Sequence, residues 1–178
     1  MVKKDKKIIS KKEIIDVFNN LSLVDEPKIP FPQFDVMDEF VLFCEKLYNH
    51  SMSKDELMES FKIENRHYAF FTSAMKYLGI FELKESKISL NSLGYEIFSL
   101  NNHDKYLELT KLILQHKPFS DVFTCYLQTD ILPNKNDIFI ILLNNQLYNL
   151  NSEVTIRRRS STVRNWIKWI INLYEEIE

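Results

Sequence analysis

Residues 53–90, SKDELMESFKIENRHYAFFTSAMKYLGIFELKESKISL, decide the fold. Ser53 and Glu56 stand three apart before an apolar run, the spacing of a capping box, in which hydroxyl and carboxylate each take one orphan backbone N–H. The box predicts a short helix ending near Phe61. A second helix follows over residues 65–78, and Gly79 stands where a left-handed residue closes a helix. Residues 80–83 and 87–90 then alternate or carry β-favouring side chains around a polar turn at Glu85 and Ser86, which predicts a hairpin. Upstream, Val36, Phe40, Phe43, Cys44 and Leu47 recur at helical spacing over residues 35–48.

Outward from this block the chain stays mainly helical. Ser10 and Glu13 form another capping box ahead of Ile14, Ile15, Val17 and Phe18, with Lys3 to Lys7 as a solvated lead-in. Residues 25–34 hold Pro27, Pro30 and Pro32, each of which biases its predecessor away from helix, so the segment is expected to be a linker. Downstream, residues 104–116 present Tyr106, Leu109, Ile113 and Leu114 at helical spacing, and residues 119–127 continue with aromatic side chains. Pro133 and Asn134 punctuate. A short apolar helix over 137–143 leads through a polar connection, 144–152, into a basic helix over 155–170.

Helix, short helix, helix and two-stranded wing is the order of a winged helix-turn-helix, whose third helix enters the major groove of DNA. The expected architecture is therefore mainly α, with two consecutive winged helix-turn-helix subdomains carrying short β-hairpin wings. Residues 1–34 form the N-terminal helix and Pro-rich linker, 35–100 the first subdomain and 101–178 the second. No strict sequence repeat accompanies this division.

Composition narrows the function. With 178 residues, 45% of them hydrophobic, the chain can bury a substantial core. Its longest apolar runs fall far short of the ~20 residues a membrane helix needs. Six lysines fall in the first twelve residues without an apolar stretch and cleavage site behind them, so no secretory signal is read and a cytosolic location is expected. Only two glycines occur, too few for the phosphate-cradling loops of nucleotide cofactors. Cys44 and Cys125 lack CxxC or His partners and read as reduced core thiols. The histidines His50, His67, His103 and His116 are scattered, and capping or surface roles are expected of them; His67 projects near the buried face of its helix.

Positive charge is concentrated locally. The chain carries 23 basic and 25 acidic residues, net −2, yet TIRRRSSTVRNWIKWI at 155–170 holds five cations and no acid across sixteen positions. At ~100° per residue, Ile156, Val163, Trp166, Ile167 and Ile170 share one sector. Opposite them lie Arg157, Arg158, Ser161, Arg164, Asn165 and Lys168, while Arg159 falls back toward the apolar side. The helix over 65–78 is expected to bury Tyr68, Phe71, Met75 and Leu78 and to expose Asn65, Arg66, Ala69, Ser73 and Lys76. Such faces suit a duplex: Arg reads guanine and Asn reads adenine in bidentate fashion, small residues allow close approach, and lysines neutralise phosphates.

The segments ENRHYAFFTSAMKYLGIFEL, ISLNSLGYEIFSL and RRRSSTVRNWIKWI resemble the tandem winged-helix DNA-recognition modules of type II restriction endonucleases. In those proteins a YLG-type helix ending, an LT-x-x-G-like wing and an R-R-x-S-T-V-x-x-W segment recur in this order. The resemblance spans roughly residues 35–174. It implies that Arg157, Arg158, Ser161, Thr162 and Arg164 lie at the DNA and that Trp166 supports their helix. The wing departs from the pattern, with Leu90, Asn91 and Ser92 in place of Leu and Thr.

Nucleases of this kind cut with a carboxylate cluster and a lysine holding Mg2+, typically an Asp followed by Glu-x-Lys. The Glu-x-Lys triplets here, Glu26 to Lys28, Glu82 to Lys84 and Glu85 to Lys87, fall in the Pro-rich segment and around the hairpin turn with no Pro-Asp strand upstream. The chain is thus expected to contribute no catalytic residue, no cofactor and no metal site of its own, Mg2+ entering only with an attached nuclease domain or subunit. A protein-interaction module and a transcriptional regulator remain open as other uses of the same fold.

Overall fold

A computed structural model describes residues 9–145 and 147–174; the lysine lead-in at 3–7 lies outside the described residues, as does Gln146 in the polar connection. Both capping boxes form. Ser10 opens α1 (Lys11–Asn20) and Ser53 opens α3 (Lys54–Phe61), and in each the backbone N–H of the serine donates to the glutamate three residues on, at 2.9 and 2.7 Å. Between them runs α2 (Met37–Asn49), which buries Phe40, Phe43, Cys44 and Leu47. α4 (Asn65–Tyr77) follows α3 and ends at Gly79, whose φ of +71° is the left-handed closure expected there.

The hairpin forms as β2 (Phe81–Lys84) and β3 (Lys87–Leu90), with Phe81 opposite Leu90 and Leu83 opposite Ile88. Glu85 and Ser86 both take positive φ, the mirror-image turn whose twist suits a two-residue hairpin. A third strand, β1 (Met52–Ser53), was not legible at two residues; it pairs antiparallel with β3 and gives a sheet ordered β1-β3-β2. After β3, Asn91 caps α5 (Ser92–Ser99): its Oδ1 accepts from Gly94 N at 3.0 Å while its Nδ2 donates to the Gly79 carbonyl at 2.8 Å. Gly94 packs so closely that a Cβ there would lie 2.9 Å from Leu90 Cβ, which accounts for glycine at this position.

The remaining elements among the described residues are helices: α6 (Asn102–Leu114), α7 (Lys117–Thr129), α8 (Lys135–Leu143) and α9 (Glu153–Asn172). No strand occurs among the described residues after Leu90, which corrects the expectation of a second hairpin wing. The reason is that Trp169, Ile170 and Ile171 prolong the buried helical stripe, so the stretch that would begin a wing continues α9.

One hydrophobic core runs through the described residues, from Ile9 to Tyr174. The Pro-rich segment both connects and fills. Phe31 and Phe34 are each 3% exposed; Phe31 stacks on Phe119 of α7 at 5.6 Å, and Phe34 packs edge-on to Phe40, Phe43 and Phe71. Residues 24–36 therefore form a strap between the sheet-bearing part and α6–α9. A buried Lys105 on α6 adds a polar tie, its Nζ 2.7 Å from Glu45 of α2.

Candidate functional site

α9 starts at Ser152, whose Oγ accepts the Thr155 N–H at 3.2 Å. Nine of its twenty residues are buried, among them the expected Ile156, Val163, Trp166, Ile167 and Ile170. Trp166 is fully buried, stacks on Phe119 at 5.1 Å and donates Nε1–H to the Phe34 carbonyl at 2.6 Å. Trp169 reaches Asp38 in the same way at 2.9 Å. These indole bonds bolt α9 to the strap and to the start of α2.

Of the cations on the opposite face, Arg157 and Arg158 are exposed, while Arg164, Lys168 and the polar Ser161 and Asn165 are half-buried. Arg157 lies 4.2 Å over the Phe139 ring and donates Nη1–H to Asn136 Oδ1 at 2.9 Å. Arg164 donates Nε–H to the Pro133 carbonyl at 3.3 Å. Both lean toward the start of α8, where Asn134 caps the backbone N–H groups of Asn136 and Asp137. Arg158 has no partner among the described residues. Thr162 departs from expectation: it is 2% exposed, and its hydroxyl donates to Asp35 Oδ1 at 2.6 Å. A duplex cannot reach it, so its work is to hold the strap.

α4 presents its face differently. Asn65, Arg66, Ala69 and Lys76 are exposed, Ser73 is half-buried, and Tyr68, expected inside, is only half-buried. Glu64 supplies no side-chain cap and the first turn holds no acid, so the N-terminal N–H groups of α4 meet solvent beside Arg66. Arg66 lies 5.2 Å over Phe70, and Lys76 lies 4.7 Å over Phe81 of the hairpin.

The strap brings the two helices near one another. His67 of α4 packs edge-on to Phe34 at 5.0 Å and Ser73 Oγ approaches the Pro30 carbonyl at 3.5 Å, while α9 reaches Phe34 and Asp35 from its own side. Carboxylates enter the same region: Asp35 on Thr162, Asp38 on Trp169 and Glu39, whose Oε2 is 3.3 Å from His67 Nε2. Glu153 adds an acid to the first turn of α9, just ahead of the acid-free run.

A buried polar cluster escaped the sequence reading. His116, for which a capping or surface role was expected, stands at the N-cap position of α7 without a side-chain cap bond; it is 3% exposed and stacks on Tyr77 at 4.2 Å, its Nδ1 3.4 Å from Glu26 Oε1. Tyr77 donates its hydroxyl to Glu26 Oε2 at 2.7 Å; burial, and then the Glu26 charge, push the phenol well above its ordinary range. Nothing local predicts this, because the partners come from the strap, α4 and the start of α7. Cys44 is buried, which pushes its thiol up, and Cys125 is half-buried; both are free. Glu82 and Lys84 pair with each other at 3.0 Å. Among the described residues no group of three or more His, Cys, Asp or Glu side chains converges as a metal site, and no helix is long and apolar enough to cross a membrane.

The molecule is thus a mainly helical protein with one small antiparallel sheet and two cation-bearing helix faces flanking a strap that is anchored by the buried Phe31 and Phe34. It belongs to the family described as a domain of unknown function (DUF7226), which matches residues 39–175, from α2 onward. No curated protein and no solved structure matches the chain.

Proposed function

We propose that the chain binds double-stranded DNA, with α2–α4 and the β1-β3-β2 sheet acting as a winged helix and α4 as its groove-reading helix. The observation that carries this reading is the state of α4's first turns: none of residues 65–70 is buried, and Asn65, Arg66 and Ala69 stand there beside an uncapped helix end. Arg and Asn are the side chains that make bidentate base contacts, and a small residue lets the backbone approach. The order helix–strand–helix–helix–strand–strand, with β1 closing the sheet edge, supports the winged arrangement. On α9, Arg157, Arg158, Arg164 and Lys168 supply a phosphate-binding flank, with Ser161 and Asn165 between them.

In this reading the chain works in the cytosol as the recognition part of a type II restriction endonuclease or as the companion of a separate nuclease, which would bring its own Mg2+. A second reading, protein docking, draws support from the outer side of α8 and its surroundings, where Ile131, Ile140, Leu143, Tyr148 and Val154 are exposed. The two uses are compatible if that surface receives the nuclease.

The test is selection of bound sequences from a random duplex pool, then binding measured by fluorescence anisotropy across a salt series and a cleavage assay with Mg2+. Arg157→Ala and Arg158→Ala should each lower the slope of log K against log[salt] by about 0.9, and Arg66→Ala should relax sequence preference. A wild-type protein that recovers no sequence and binds no duplex at low salt would sink the proposal.

A further inference from the structure

A groove of about 350 Å³ runs between α5 and α6, on a part of the surface that neither cationic helix face uses. Leu93, Ile97 and Leu100, along α5 and at its end, and Leu107 of α6 make its apolar floor, while Glu96, Asp104 and Glu108 stand along it. Leu93 is 41% exposed, a large apolar side chain left open to water. No basic residue lines the groove. Lys111 approaches Glu108 at 3.5 Å from one end, and Asn101 and His103 hold Asp104, but the Glu96 carboxylate has no partner among the described residues. An apolar floor under a negative rim suits a cationic polypeptide with apolar side chains, and it repels phosphate.

The chain itself carries such a segment. Residues 1–8, MVKKDKKI, hold Lys3, Lys4, Lys6 and Lys7 against the single acid Asp5, with Met1, Val2 and Ile8 as apolar side chains. The point where this segment joins the fold is tied to the groove. Ile9 donates its N–H to the Leu173 carbonyl at 3.3 Å, and beside it the Ser10 hydroxyl donates to Glu13 Oε2 at 2.6 Å. Glu13 Oε1 lies 3.0 Å from His103 Nε2, and His103 Nδ1 lies 2.9 Å from Asp104 Oδ1. Three side-chain hydrogen bonds thus lead from the start of α1 to a carboxylate on the groove's rim. Eight extended residues reach up to roughly 27 Å, against the ~10 Å that Leu93 to Leu100 covers along α5. We propose that residues 1–8 dock in the α5–α6 groove of their own chain, with lysines on Glu96 and Glu108 and an apolar side chain over Leu93. The inference goes beyond DNA binding and does not depend on it.

The test uses the full chain mixed with an isotope-labelled copy, zero-length carbodiimide cross-linking, and mass spectrometry of the cross-linked peptides. Cross-links from Lys3, Lys4, Lys6 and Lys7 to Glu96 and Glu108 should form within single chains and outnumber those to Glu85 of the exposed hairpin turn. They should be lost near 1 M salt, where the screening length falls to about 3 Å. Leu93→Ser, at a side chain already half open to water, should lower their yield by about threefold with every charge intact. Equal cross-linking to Glu85, or a yield indifferent to Leu93→Ser, would overturn the inference and leave a tethered segment without a seat. Cross-links that join labelled to unlabelled chains would overturn it in favour of contact between copies. A combined Lys3→Gln, Lys4→Gln, Lys6→Gln and Lys7→Gln variant that lowers the duplex salt slope by about 3.6, with no groove cross-link in wild type, would also overturn it and assign these lysines to DNA phosphates. Groove cross-links in a protein that binds no duplex would uphold the docking while the DNA reading fails.

Discussion

α4 and α9 carry similar side chains on their outer faces but are held by the fold in opposite ways. α4 fully buries residues only in its second half, at Phe71, Thr72, Ala74, Met75 and Tyr77, so its first turns leave one side open at Asn65, Arg66 and Ala69 while His67, Tyr68 and Phe70 rest against the core. α9 buries residues from Ile156 to Ile171 along its whole length, and several of its cations are engaged: Arg157 on Asn136 and Phe139, Arg164 on Pro133. A count of cations favours α9 as the reader of bases. The distribution of burial favours α4, because a helix enters a groove with a face that nothing else covers. α9 is better placed to flank, with Arg157 and Arg164 fixed in direction by bonds to the start of α8.

The largest effect tests how deeply α9 belongs to the core. Trp166→Ala should cost about 3–5 kcal/mol, since it empties a fully buried indole site and leaves the Phe34 carbonyl without its donor. Phe71→Ala, the equivalent deletion on α4, should cost a similar amount, because both side chains line the one core that Phe34 and Phe40 share. Denaturant unfolding followed by fluorescence and by circular dichroism should give one coincident transition for wild type and for both variants. Two separable transitions would mean that the halves fold independently, and the contrast between an open-sided and a clamped helix would then belong to two domains.

How far the sequence speaks depends on the range of the interaction that shapes each element. Ser10 with Glu13 and Ser53 with Glu56 are complete within four residues, and both boxes were legible. The same holds for Gly79 and for the buried stripe of α9. β1 was hidden because two residues carry no period, and its strand character comes from β3, more than thirty residues away in the chain. The Pro-rich segment reads as a linker, and its second task of packing stays hidden, because prolines report what the backbone avoids, not what the side chains bury. Phe31 and Phe34, set between and after those prolines, were the available signal. At the site, helical projection placed Arg157 and Arg158 outside and Arg159 aside, but it put no partner against Thr162. That partner, Asp35, lies 127 residues away, a distance over which periodicity says nothing.

Thr162 gives a smaller and more selective test. Thr162→Val keeps the shape and removes the hydroxyl bonded to Asp35, so it should cost about 1 kcal/mol, the carboxylate being exposed enough to recover water. Its duplex-binding slope should match wild type. Arg66→Ala on α4 should do the reverse, leaving stability within about 0.5 kcal/mol while altering binding. A Thr162→Val protein of unchanged stability and weakened binding would return that residue to the interface and erase the distinction between clamped and open faces.

The smallest expected effect lies away from both helices, at the seam between α1 and α6, and it separates docking of the N-terminal helix from anything α4 or α9 does. When protonated, His103 donates Nδ1–H to Asp104 at 2.9 Å and Nε2–H to Glu13 at 3.0 Å. Its pKa is raised, first by the bond to Asp104 and then by the bond to Glu13, against a partial desolvation. Glu13 is lowered, first by its bonds to Ser10, and Asp104 is lowered, first by His103. A raised histidine contributes stability that is fully present below its unfolded value, near pH 6.5, and is lost as pH rises through the higher folded value. The lowered carboxylates contribute above their unfolded values, near pH 4, and lose that contribution as pH falls through lower folded ones. The seam should therefore be tightest at about pH 5–6. Wild type should exceed His103→Gln in the denaturant midpoint and in hydrogen-exchange protection of α1 there, and the gap should close by about pH 8. A gap unchanged between those two pH values would show that His103 holds α1 by packing and neutral hydrogen bonds, with its charge playing no part.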